Sequence, residues 1–328
     1  TLSSTPIILS AQDIISAVVN GAMKAHSTVA SLQAWAISLL IAIWAVNPQH
    51  KTVIVSHNGI NAVGNAISMH PTEANVIEDG CVFFWRLLAR SSTDDRRKEN
   101  IKIHNNERRI VLDIIISYNI VQTILECLWI HRDSPRVQQQ ICLLLSVLAT
   151  YPRISSSIVS SGGIPAVISV MMANTTHAEI QRFSTLFFLN LTKFDTDTTL
   201  SIGDCGGLYA IIDAMRFHPN YALIQEYGCN TLAKLIYYPE NLEMLRLADG
   251  KSVVNGAGWR HVDRCKKAVK DICFMMCWTE SYDDNENTND IETSSSQDKH
   301  LPFPAFAENA EGSARCSQAV QGCEHKSA

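Results

Sequence analysis

Five segments of this chain align on one another: Ile15–His26 (ISAVVNGAMKAH), Ile60–His70 (INAVGNAISMH), Val121–His131 (VQTILECLWIH), Ile164–Asn174 (IPAVISVMMAN) and Leu208–His218 (LYAIIDAMRFH). Each carries apolar residues at i, i+3, i+4 and i+7, the stripe of a short amphipathic helix. Four of them end in His. They start at 15, 60, 121, 164 and 208, in steps of 45, 61, 43 and 44. A recurrence of this length, built from helices alone, restricts the chain to stacked helical repeats, whose usual periods are roughly 40–47 residues. The long step marks an insertion.

A longer helix follows each short one at a fixed offset. Its start is marked by Gln33, Ile77, Gln138, Gln181 and Gln225. Three residues on stand Ala36, Gly80, Ile141, Ser184 and Gly228, four of them small. A small residue in mid-helix admits a close neighbour, which offsets the cost of about 1 kcal/mol that Gly carries there. The apolar runs that follow, such as VFFWRLLA and LFFLNLT, predict helices buried nearly all round. A third, short element closes each unit, as at Glu240–Leu245, and a Gly-containing turn leads onward. Sustained two-residue alternation is absent, so no strand is expected.

Gly-Gly-apolar, Ala-Met-x-x-His, then Gln-x-x-Gly-Cys-x-x-Leu is clearest in GGLYAIIDAMRFHPNYALIQEYGCNTLAKLI, from Gly206 to Ile236. This pattern resembles the armadillo repeat family over residues 7 to 278. The Gly-Cys-x-x-Leu form is also similar to armadillo regions attached to leucine-rich-repeat kinases. The resemblance implies an all-α fold, a right-handed superhelical solenoid of about five to six repeats. A sixth, degraded unit is expected from Lys251 to Trp278, its middle helix shortened around Asn255–Gly258. In the family, the last helix of each repeat lines a concave groove, and peptide-binding members clamp a backbone with an Asn ladder, often with Trp one turn earlier. The matching positions here are Arg86, Val147, Asn190 and Lys234, with Ile41 or Ala42 in the first unit. Only Asn190 fits the ladder, and Leu186 stands where Trp would be. Arg86, Asn190 and Lys234 are thus the candidate partner-binding residues, a polar and partly basic stripe; their alternative is plain solvation.

The domain expectation is one repeat body over 1–278, with a charged loop inserted at 91–109 and a disordered acidic tail over 279–328. The tail holds ten Asp or Glu against three Lys or Arg, while the first 278 residues hold 22 acids and 24 bases. Such a tail is too polar to order itself. It contains an apolar island, Leu301–Phe306, and Ser294–Ser296 in an acidic setting open to phosphorylation. The inserted loop is richer in bases than acids and reads as solvated or as a contact for an acidic partner. A near-neutral body argues against nucleic acid as a partner. Ala30–Val46 is apolar over most of a spanning length, but it falls in register with helices too polar to span, so a core helix and no membrane span are expected. The amphipathic stretch Trp259–Trp278, with Arg260, Arg264, Lys267 and Lys270 on one side, is read as one continuous capping helix.

Cysteines lie mostly inside apolar runs, as Cys142 does, which suits a reducing compartment; the cytoplasm is expected, with the nucleus open as well. An opening without Met, in Pro6-Ile7-Ile8-Leu9, reads as part of a longer polypeptide. Phosphate-binding loops, dinucleotide fingerprints, nucleophile elbows and His-Glu-x-x-His are absent from the sequence. His261, Cys265, Cys273 and Cys277 on one continuous helix would spread over about 24 Å, too far for one zinc ion. No metal, cofactor or catalytic residue is therefore expected. The expected function is a monomeric, non-catalytic scaffold that binds a protein partner. A regulatory armadillo region of a larger protein such as a kinase is the alternative, and a transport receptor for basic peptides the third.

Overall fold

The computed structural model describes residues 10–89 and 98–278, and the side chains of all of these except 98–107. Among the described residues every regular element is helical. Helix α1 (Ala11–Ser16) starts at a capping box of Ser10 and Asp13 and continues as a π-helical stretch, Ala17–Lys24. It is followed by α2 (Ala30–Val46). From there one order recurs: a helix of variable length, one of 11 residues, then one of 14 or 15. The trios are α3 (His50–Ser56), α4 (Gly59–Met69), α5 (Ala74–Leu88); α6 (Lys98–Ser117), α7 (Ile120–Ile130), α8 (Pro135–Leu148); and α9 (Pro152–Ser160), α10 (Gly163–Ala173), α11 (Ala178–Leu191). Two more are α12 (Thr196–Asp204), α13 (Gly207–Phe217), α14 (Ala222–Leu235) and α15 (Pro239–Leu247), α16 (Gly250–Arg260), α17 (Val262–Met276).

The turn into each 11-residue helix sits on one left-handed residue: Asn58, Asn119, Gly162, Gly206 and Asp249, with φ between 51° and 84°. Gly, Asn and Asp tolerate this region best. The next residue is usually Gly for a second reason. A Cβ on Gly207 would lie 2.8 Å from the Ile202 carbonyl oxygen, so the two helices meet too closely for a side chain.

A buried glutamine joins four of the long helices (α2, α8, α11 and α14) to the short helix before each. The Gln181 amide donates to the Met171 and Asn174 carbonyls, both at 2.8 Å. Gln225 repeats this with Met215 and His218, and Gln33 with Met23 and His26. Gln138 reaches Leu128 at 3.3 Å. These carbonyls lie at the helix end, where a next helical turn no longer supplies donors; turn N–H groups reach several of them, and the glutamine amide adds a second donor. The terminal His of the short helix reaches the other way. His131 Nε2 donates to the Pro71 carbonyl at 2.8 Å, His70 to Ser27 at 2.7 Å and His261 to Pro219 at 2.9 Å.

The chain divides into two compact units, Thr1–Ser201 and Ile202–Ala328, where one body over 1–278 is expected from sequence. In the first, α2, α5, α8 and α11 pack side by side in that order, over a core that includes Phe83, Phe84, Phe187 and Phe188. In the second, α14 and α17 lie against each other, α13 and α16 pack on them, and α15 packs on α13 and α16.

Four sequence expectations change. The inserted loop 91–109 is helical from Lys98 onward; Lys, Glu and Arg are good helix formers even where no apolar stripe marks a helix. Residues 90–97, like 1–9 and the tail 279–328, lie outside the described residues. The short helix of the last trio is not shortened: α16 has the same 11 residues as its counterparts, packing having overridden the cost of Gly256 and Gly258. Trp259–Trp278 is not one helix, because His261 breaks it at φ −131° and ψ 49°. Lastly, α2 is not buried all round: Trp35 is 78% and Val46 86% exposed, since α2 stands first in its row.

No single described helix is long and apolar enough to cross a membrane. Two helix pairs pass that test only jointly and are bent by 65° and 74°.

Gln181→Leu removes two hydrogen bonds that join α11 to α10 and is expected to lower stability by about 1–3 kcal/mol, read as an earlier midpoint in urea unfolding.

Candidate functional site

A long helix that turns one side onto its short helix and its flanks onto neighbouring long helices keeps one face uncovered. In the first unit this face is tied laterally by polar contacts. Ser38 on α2 donates to Asp79 on α5. Arg136 on α8 donates to Glu78 on α5 at 2.6 Å. Along α2, Trp35 and Leu39 stand beside Ser38, and along α5, Val82 and Arg86 follow Asp79 at helical spacing. On α11 the Arg182 guanidinium pairs with Glu179 and lies 4.2 Å from the Phe183 ring centroid.

The three candidate residues fare differently. Arg86 is exposed in the last turn of α5, with its guanidinium 5.7 Å from the Trp85 ring centroid. The Trp85 indole N–H beside it is buried without an acceptor. Lys234 is exposed in the last turn of α14. Asn190 is a correction: it is only 4% exposed, and its amide is used internally. Its Nδ2 donates to the Ser146 carbonyl at 2.8 Å, and its Oδ1 accepts from Lys193 Nζ at 2.6 Å. A clamp on a peptide backbone needs both groups free. The basic-peptide receptor thus loses its one matching residue. Arg86 and Asn190 belong to the first unit and Lys234 to the second.

Residues that sequence reasoning passed over hold the frame. The recurring Gln and the terminal His were visible as a pattern, but their carbonyl partners were not. A polar residue recurring at a buried helical position was the available signal, because a buried amide requires partners. Lys51 is a further case: it is nearly buried, with Nζ 3.4 Å from the Leu87 carbonyl in the last turn of α5. A cation there also suits the helix dipole.

Among the described residues no three His, Cys, Asp or Glu side chains converge to hold a metal ion. His261 spends its Nε2 on Pro219. Burial pushes the Cys127 thiol up to about 12 and the Cys142 thiol to about 11, so both stay protonated and unreactive at neutral pH. Cys277 is exposed.

No family model and no curated protein matches the sequence. Two solved structures match in fold, both crystal structures of engineered proteins from the Northeast Structural Genomics Consortium. One is 16% identical with a TM-score of 0.59, covering 81% of this chain and 98% of its own. The other is 12% identical with a TM-score of 0.60, covering 80% and 98%. At such identity the likeness concerns the fold alone.

Asn190→Ala is expected to cost about 1–3 kcal/mol, whereas Arg86→Glu stays within about 0.5 kcal/mol; paired thermal melts distinguish them. Iodoacetamide at pH 8 should label Cys277 in the folded chain and spare Cys127 and Cys142 until urea unfolds it, as read by peptide mass spectrometry. The two buried thiols hold their protons to higher pH folded than unfolded. Their contribution to stability is complete below the ordinary thiol value of 9.0 and is lost as pH rises toward 11–12.

Proposed function

We propose that the chain is an armadillo-type α-solenoid of about five to six repeats, and that it serves as a non-catalytic scaffold binding a protein partner on the uncovered face of its long helices. The recurrence of the helix trio, with a left-handed residue at every turn and a Gln or His latch at most junctions, supports the repeat reading. One observation carries the binding reading. Trp35, 78% exposed, stands one helical turn from the Ser38–Asp79 bond that joins α2 to α5. Arg86 lies on the same face two turns along α5 from Asp79. A large ring held on a braced surface loses little freedom on binding, and Trp and Arg are the side chains that most often dominate interfaces.

The scaffold reading predicts that affinity capture from native cell extract loses specific partners with Trp35→Ala and with Arg86→Glu, while helical circular dichroism is unchanged. Lys234→Glu, in the other unit, serves as the comparison. Retention of every partner by both first-unit variants would remove this face from consideration.

A further inference from the structure

The histidine just past four of the five 11-residue helices gives a common register: His70, His131, His218 and His261. Ten residues before it, Ile60, Val121 and Leu208 are buried, and Lys251 is exposed. Six residues after it, Val76, Val137 and Ile224 are buried, and Lys267 is exposed. Thirteen residues after it, Phe83, Leu144 and Thr231 are fully buried, while Phe274 is 85% exposed. At two of three positions the last trio has exchanged a core residue for lysine. At the third it has kept an aromatic ring and left it in water.

Lys266 and Lys270 add to this face, and none of the four lysines forms an ion pair among the described residues. Asp263 and Asp271 stand one helical turn either side of Lys267 on the same face and are outnumbered two to one by the four lysines. The face is therefore basic overall, around one bare ring. An exposed ring in such a setting calls for an acidic cover with an apolar contact.

The chain itself supplies one. Glu280, Asp283, Asp284, Glu286, Asp290 and Glu292 follow α17, with Tyr282 among them and no Lys or Arg before Lys299. The chain leaves α17 at its Phe274 end: Cys277 is left-handed at φ 53°, and the Trp278 N–H bonds the Cys273 carbonyl at 2.9 Å. From Phe274 to Lys266 is about 12 Å along the helix. The eight residue steps from Trp278 to Glu286, fully extended, span about 26 Å. Tethering also gives the segment an effective concentration near millimolar.

We propose that the outer face of α16 and α17 is a docking site for an acidic segment, and that its occupant is the chain's own residues 280–292, laid from Phe274 toward Lys266. This rests on the repeat register proposed above. An acidic partner reaching the same face competes with this segment.

The test uses the full chain. A glutamate-specific protease cleaves after Glu280, Glu286 and Glu292, and its rate reports how often the segment is undocked. Three exposed lysine–carboxylate pairs of ordinary strength amount to about tenfold in occupancy. Cleavage should therefore speed up about tenfold in Lys266→Glu/Lys267→Glu/Lys270→Glu. It should speed up similarly in Asp283→Lys/Asp284→Lys with Glu286 retained as a cleavage site, and slow again when the two sets are combined. Equal rates in all four chains would overturn the proposal. Slower cleavage at higher chain concentration would also overturn it, by placing another copy's segment on the face. Loss of helical circular dichroism in the lysine variant would indict the repeat register instead, and the tail variant, which leaves α16 and α17 unaltered, then decides the docking alone.

Discussion

A buried glutamine amide bonded to the last carbonyls of the preceding helix is the contact on which the remaining architecture depends. A short helix ends with carbonyls that have no donor in a next helical turn, and each further hydrogen bond they gain is worth about 0.5–1.5 kcal/mol. Gln33, Gln181 and Gln225 each answer two of them with one side chain. The bond also sets where the long helix begins and which way it leaves. The junction at α4 and α5 shows the alternative. Ile77 replaces Gln there, and the junction keeps the close contact at Gly80, where the Ile67 side chain presses against the α5 backbone as Met215 does at Gly228.

Once the long helix is set, its other faces follow. In the first unit its flanks meet neighbouring long helices, with Phe83 and Phe187 among the fully buried side chains. What is left over is one outward face, and the residues on it are free to vary in chemistry. Trp35, Arg86 and the Glu78–Arg136 pair occupy it in the first unit. This division suits the scaffold proposed above: one side that cannot change without loss of fold, and one that can be matched to a partner.

Much of the fold was legible because it rests on local rules. The 11-residue helices, their left-handed turns and the long helices after them follow from apolar spacing and from Gly, Asn or Asp at fixed places. Helix α6 was hidden because its N-terminal half has helix-forming residues without an apolar stripe. The candidate site was less legible. Arg86, Asn190 and Lys234 hold equivalent positions, yet only the two long cationic chains reach solvent, whereas the short Asn190 amide turns to the Ser146 carbonyl. Sequence spacing locates a residue on a helix, but the partner that draws it inward belongs to another helix. The same reason concealed the histidine contacts, whose acceptors lie 42 to 60 residues away.

Native-state hydrogen exchange on the intact chain and on Gln181→Leu tests the latch most directly. If each junction is held by its own glutamine and packing passes only between neighbours, protection should fall in α10 and α11 and in the helices touching them, and persist in α2 and α17. A uniform fall across both units would contradict local latching and would show a single cooperative body in which Gln181 has no particular junction to hold.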